Sequence, residues 1–182
     1  EIHKVEKAFL PADILLPRDA DMTKWSVIAC DQFSSERGYW ERVAQTVGAA
    51  PSTLKLIVPE AYLGEVDTAR SAADIAAKMG EYLQAGLLKP YGNSFIYVER
   101  TISDGRVRRG LIGCLDLELY DYTPGAAAPV LASENTIVSR LPARVDVRRL
   151  APLELPHIMA LIDDSKCRVI EPLGKKTDAL EK

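Results

Sequence analysis

The chain has 182 residues, 47% hydrophobic and 27% charged, enough apolar material for one good core or two small ones. Its net charge of −3 excludes an overall positive field that would attract a polyanion, so any phosphate-binding role must be local. The three cysteines, Cys30, Cys114 and Cys167, form no CxxC pair, and an odd number argues against a complete disulfide framework; with no apolar run near the roughly 20 residues of a membrane span, a soluble cytoplasmic protein is expected.

In chain order, PADILLPRDADM predicts strand or loop, because Pro11 and Pro17 restrict the residues before them. WSVIAC predicts a buried strand. Ser34 or Ser35 can then cap a helix with apolar contacts at Tyr39, Trp40, Val43 and Val47, ending at Gly48. LKLIVPEAYL predicts a short strand or extended segment, broken at Pro59. Over 65–83 the spacing of Val66, Ala69, Ala73, Ile75, Ala76, Met79, Tyr82 and Leu83 predicts an amphipathic helix closed by Gly86. FIYVERTI and VRRGLIGCLDLELYDY flank Asp104-Gly105 and predict a β-hairpin. TPGAAAP is a loop, and VLASENTIVSRLPARVDVRR alternates apolar and polar residues around Pro142, which predicts two extended pieces. LELPHIMALIDD predicts a helix after Pro156, RVIEPL a short strand, and GKKTDALEK the start of a further helix. The expected fold is α+β, a mixed, largely antiparallel sheet with a central hairpin and flanking helices, in a single domain over 1–182.

Most chemical motifs are missing. There is no GxxxxGK[ST], GxGxxG or GxSxG, and His3 and His157 lie too far apart in the sequence for zinc-type spacing. Cys30, at a strand-to-helix junction, suits a thiolate, but with so few histidines to act as base the ordinary reading is a packed cysteine, and the same holds for Cys114. Asp163 and Asp164 suit a hard cation or, more simply, a solvated turn. The stretch SENTIVSRLPARVDVRR carries Glu134, Thr136, Arg140, Arg144, Arg148 and Arg149. Guanidinium groups match phosphate or carboxylate oxygens in pairs, so these arginines are either a local anion site or the charged face of an edge strand.

The blocks FLPADILLPRD, DMTKWSVIACDQFSSERGYWERV, APSTLKLIVPEAYL, YVERTISDGRVRRGLIGCLDLELYDY and ASENTIVSRLPARVDVRRLAPLELPHIMALIDD, taken in this order, resemble the N-terminal portion of the domain of unknown function 1015 family. That resemblance implies a relation to the ParB/sulfiredoxin-like superfamily, which includes free L-serine kinases, and hence phosphoryl transfer from ATP or ADP, with Mg²⁺, to a small hydroxyl amino acid. Matched to the family's blocks, Asp31 implies a substrate-amine or metal partner and Glu134 a base or metal-orienting carboxylate. Arg144 implies a phosphate anchor, and Thr136 of the matched pair, Gln32 beside Asp31, and Arg140 and Arg148 of the arginine run are the expected substrate and phosphate contacts. Ser133 stands where many relatives have histidine, and the superfamily's Asp-Gly-x-His motif would fall beyond Lys182. The chain is therefore expected to be the N-terminal part of a longer protein.

Two other readings compete with the kinase. One is a non-catalytic ParB-like module binding a nucleotide, a metabolite or nucleic acid, the last disfavoured by the acidic composition. The other is an oligomerisation unit, with a homo-oligomer formed through the open edge of the hairpin.

Overall fold

The structure, a computed structural model, describes residues 7–26, 35–133, 135, 137–155 and 158–175. In chain order the elements are β1 (Phe9–Leu10), β2 (Ala12–Pro17), α1 (Met22–Trp25), α2 (Arg37–Val47), 3-10 turns at Thr53–Leu56 and Glu60–Tyr62, and α3 (Thr68–Gln84). There follow β3 (Leu88–Ser94), β4 (Ile96–Thr101), β5 (Val107–Ile112), β6 (Cys114–Leu115), a 3-10 turn at Leu117–Leu119, β7 (Tyr120–Asp121) and β8 (Val130–Leu131). A 3-10 turn at Val138–Arg140 leads into α4 (Leu141–Leu150), and another closes at Glu171–Lys175. The class is α+β. The strands, however, pair two by two as β1/β6, β2/β3, β4/β5 and β7/β8, so among the described residues no single central sheet forms, and β7 and β8 run parallel.

The residues group into two compact units. A helical unit takes the described parts of Leu15–Lys89 and Thr136–Ile158; a hairpin unit takes those of Glu1–Ile14, Pro90–Asn135 and Met159–Lys182. No helix among the described residues is long and apolar enough to cross a membrane.

The helical unit is built on α3. Asp67 caps it by accepting from the Arg70 N–H at 3.1 Å. Its buried stripe is Ala72, Ile75, Met79 and Tyr82, the helical period, while Val66, Ala69, Ala73 and Leu83 stay exposed, so the apolar face is narrower than the sequence spacing predicts. The helix ends in a Schellman motif: Leu87 N–H donates to Tyr82 C=O (3.1 Å) and Gly86 N–H to Leu83 C=O (3.1 Å). Gly86 takes φ 66°, a conformation that costs a residue with a Cβ. Against this stripe pack Trp25 and Leu56, with Leu87, Val147, Ala151 and Leu153 around them. The Trp25 and Tyr82 rings lie 5.7 Å apart.

Several sequence expectations change here. Trp25 ends a short helix rather than opening a strand, Ser26 caps that helix in extended conformation, and residues 27–30 of WSVIAC lie outside the described residues. The N-cap of α2 is Glu36, without a side-chain hydrogen bond, rather than Ser34 or Ser35. LKLIVPEAYL forms 3-10 turns, because Ser52 accepts from the Leu54 N–H (3.2 Å) and starts a turn where strand propensity alone suggests extension.

In the hairpin unit, β4 and β5 pair in antiparallel register from Ile96↔Ile112 to Thr101↔Val107, as the Asp104-Gly105 turn predicts. The second strand does not continue through VRRGLIGCLDLELYDY. It breaks at Gly113, where an added Cβ would lie 2.7 Å from the Leu10 carbonyl oxygen and 2.7 Å from the Phe9 ring. Cys114 then pairs with Leu10, outside the hairpin, and is exposed, against the expectation that it packs. Neither LELPHIMALIDD nor RVIEPL takes its expected form: 158–164 is without helix, with Ile158, Met159 and Leu161 exposed, and the 3-10 turn at Glu171–Lys175 replaces the strand. Helices in proteins draw most of their stability from burying a face, and nothing described covers one here.

Candidate functional site

The arginine-rich stretch forms a helix. Pro142 sits in the first turn of α4, where a missing N–H breaks no hydrogen bond, so the residue that suggests a strand break starts a helix instead. Val147 and Ala151 turn inward against Ile75, Met79 and Tyr82. Arg144 and Arg148, four residues and about one turn apart, share an exposed face. Arg148 is committed: its Nε and Nη2 donate to Glu154 Oε1 at 3.2 and 2.9 Å. Arg144 makes no ion pair among the described residues. Arg140 belongs to the preceding 3-10 turn by its backbone, with its side chain outside the described residues, as are Asp31, Gln32, Glu134 and Thr136 altogether. Of the expected site, the structure thus brings Arg144 and Arg148 together.

The approach to the Cys-Asp-Gln block is anchored from the same unit. The Trp25 carbonyl accepts hydrogen bonds from Thr53 Oγ1 (2.8 Å) and from buried Ser52 Oγ (3.3 Å). The Ser52 N–H donates in turn to the Tyr82 hydroxyl at 3.0 Å, which ties the end of α1 to α3. Beside this anchor Thr23, Ser26, Tyr39, Arg42, Val43, Thr46 and Val47 line a cleft of about 270 Å³. Thr46 Oγ1 donates to the Arg42 carbonyl (3.0 Å), and the Arg42 guanidinium makes no ion pair among the described residues. A guanidinium beside several hydroxyls can hydrogen-bond a small polar or anionic solute. Sequence reasoning passes over this cleft, although Arg42 and Thr46 are four residues apart on the polar side of α2, a visible signal.

The hairpin unit carries its own charged cluster. Glu99 accepts from Arg109 Nε at 2.8 Å and from the Tyr97 hydroxyl at 3.0 Å. The Arg109 hydrogen bond, then that of Tyr97, holds the Glu99 carboxyl below the usual carboxylate range. Partial desolvation, then the Glu99 hydrogen bond, raises Tyr97. Cys167, exposed and at φ 51°, has its thiol pushed up mainly by the neighbouring Glu171 charge, which disfavours the nucleophilic thiolate. Asp164 Oδ2 accepts from the Val169 N–H (2.7 Å), so this acid closes a turn. Among the described residues no three His, Cys, Asp or Glu side chains stand together as a metal site.

A family model described as "Protein of unknown function (DUF1015)" matches residues 11–181. The chain belongs to that family. Membership spans both units, so the α4 arginines, the α2 cleft and the hairpin are all parts of the family's domain. Comparison with curated proteins and with solved structures finds no match.

Proposed function

We propose that this DUF1015 chain serves a nucleotide-dependent kinase that phosphorylates a small hydroxyl amino acid such as free L-serine, in the cytoplasm, with a ParB/sulfiredoxin-like relation as background. The observation that supports it is Arg144, exposed on α4 one turn from Arg148 and without a carboxylate partner among the described residues. An uncommitted guanidinium on a helix fixed to the core suits a terminal phosphate of ATP or ADP. In this reading Arg144 anchors that phosphate, helped by Arg140, Arg148 and Thr136. Asp31 and Gln32 hold the substrate amine. The substrate hydroxyl oxygen attacks the terminal phosphorus, the bond from phosphorus to the nucleotide's bridging oxygen breaks, and Glu134 takes the hydroxyl proton. Mg²⁺, when bound, neutralises charge on the transferring group; the carboxylates that suit it, Asp31 and Glu134, lie outside the described residues.

The test is phosphorus NMR of the full-length protein with ATP or ADP, Mg²⁺ and L-serine, beside a nucleotide melting series. Phosphoserine should accumulate, and Arg144→Gln should slow it about tenfold or more with an unchanged melting temperature, since a charge-assisted contact is lost from an exposed position. Nucleotide stabilisation without transfer, abolished in Arg144→Gln, would favour the non-catalytic binding module. No transfer and no stabilisation would remove both readings.

A further inference from the structure

Residues 96–112 contain four arginines, Arg100, Arg106, Arg108 and Arg109, and two carboxylates, Glu99 and Asp104. Each carboxylate is committed. Glu99 binds Arg109 on one face of the hairpin, and Asp104 binds Arg106 in the turn, where Oδ2 accepts from Arg106 Nε at 2.7 Å. Arg100 and Arg108 are left over, and the register sets them directly opposite each other.

Their placement follows from the ladder. Ile102 N–H donates to the Arg106 carbonyl (3.0 Å), and hydrogen-bonded pairs recur at every second position of an antiparallel ladder. Arg100↔Arg108 is therefore such a pair, with Cα atoms about 5.5 Å apart and both side chains on the face opposite Glu99 and Arg109. Both arginines are exposed, and neither has an ion pair among the described residues. Next along the same face comes Gly110, where an added Cβ would meet nothing within 4 Å, so the surface beside the two guanidinium groups is open. Like charges placed directly opposite destabilise a strand pair, and an oxyanion held between them reverses the sign of that interaction.

We infer that the Arg100/Arg108 face of the hairpin binds a phosphate group, one guanidinium from each strand closing on its oxygens. Phosphate offers oxygens to both forks at once. The inference does not rest on the reading of α4, and its test reads different residues.

The experiment follows the arginine Nε–Hε resonances of the full chain as inorganic phosphate replaces chloride at constant ionic strength, with glycerol 3-phosphate as a second probe. The Arg100 and Arg108 signals should move together and saturate. Arg100→Gln should weaken the response at Arg108 about tenfold or more, because one of two charge-assisted contacts is gone. Arg144→Gln should leave both signals and their titration unchanged. A tighter response to glycerol 3-phosphate would identify a phosphorylated metabolite as the ligand, and a tighter response to inorganic phosphate the free ion. Signals that fail to move, or an Arg108 response that survives intact in Arg100→Gln, would overturn the inference.

Discussion

Trp25, Leu56, Met79 and Tyr82 are withdrawn from solvent in the helical unit, whereas the apolar residues of the hairpin, such as Val98 and Leu111, stay half-buried. Among the described residues every fully buried side chain falls in the helical unit. The hairpin unit is held instead by its backbone ladder, by the stacked rings of Phe9 and Phe95 at 5.2 Å, by close contacts at Gly113, and by exposed ion pairs. Burial is insensitive to modest changes of pH and salt; exposed ion pairs respond to both. The two units should therefore fail in different ways.

The sharpest way to break this comparison is Met79→Ala, which empties the centre of the helical core. Urea denaturation should show a loss of about 2–5 kcal/mol, transfer and cavity costs together. A loss well below that would mean that burial does not hold this unit. Next comes Gly113→Ala, whose Cβ would meet the Leu10 carbonyl oxygen and the Phe9 ring at 2.7 Å and Phe95 at 2.9 Å. Relief demands backbone movement, so about 1–3 kcal/mol should be lost. Hydrogen exchange should quicken at the β1/β6 amides; protection left as in the parent chain would show that the contact is relaxed cheaply.

The smallest effect is the pH response of the hairpin. Glu99 titrates below its ordinary range in the folded state, so its contribution is present above the unfolded-state pKa, about 4.3, and is lost as pH falls through the lower folded value. Asp104, lowered chiefly by the Arg106 side chain, follows the same sign. Protection of the β4 and β5 amides, measured against the intrinsic exchange rate at each pH, should fall as the solution is acidified below about pH 4, and Arg109→Gln should flatten that fall. A flat profile in the parent chain would show that these exposed pairs hold nothing.

Legibility in the sequence followed the range of the physics. The β4/β5 hairpin could be read because its turn, Asp104-Gly105, and its alternation are local, and α3 because its period is carried by seventeen consecutive residues. The nature of α4 could not. Pro142 suits either a break between strands or the first turn of a helix, and the inward packing of Val147 against α3 selects the helix. LELPHIMALIDD shows the converse, a helical pattern left unformed among its described residues where no partner face covers it. At the candidate site, the arginine run brought Arg144 and Arg148 forward and the family resemblance matched Arg144, but their inequality was hidden: Glu154, six residues beyond Arg148, takes one guanidinium, while Arg144 has no ion pair among the described residues. The α2 cleft and the Arg100/Arg108 pair went unread because each depends on which side chains already have partners.

By itself the sequence determined what short-range rules govern: the α+β class, the antiparallel hairpin around Asp104-Gly105, the stop at Gly86, and membership of the DUF1015 family. Only the tertiary structure decided which charges are satisfied, where the strands stop, and that the arginine stretch coils against α3. Partner choice and burial are properties of residues distant in the chain, and no local pattern encodes the free energy they exchange when they meet.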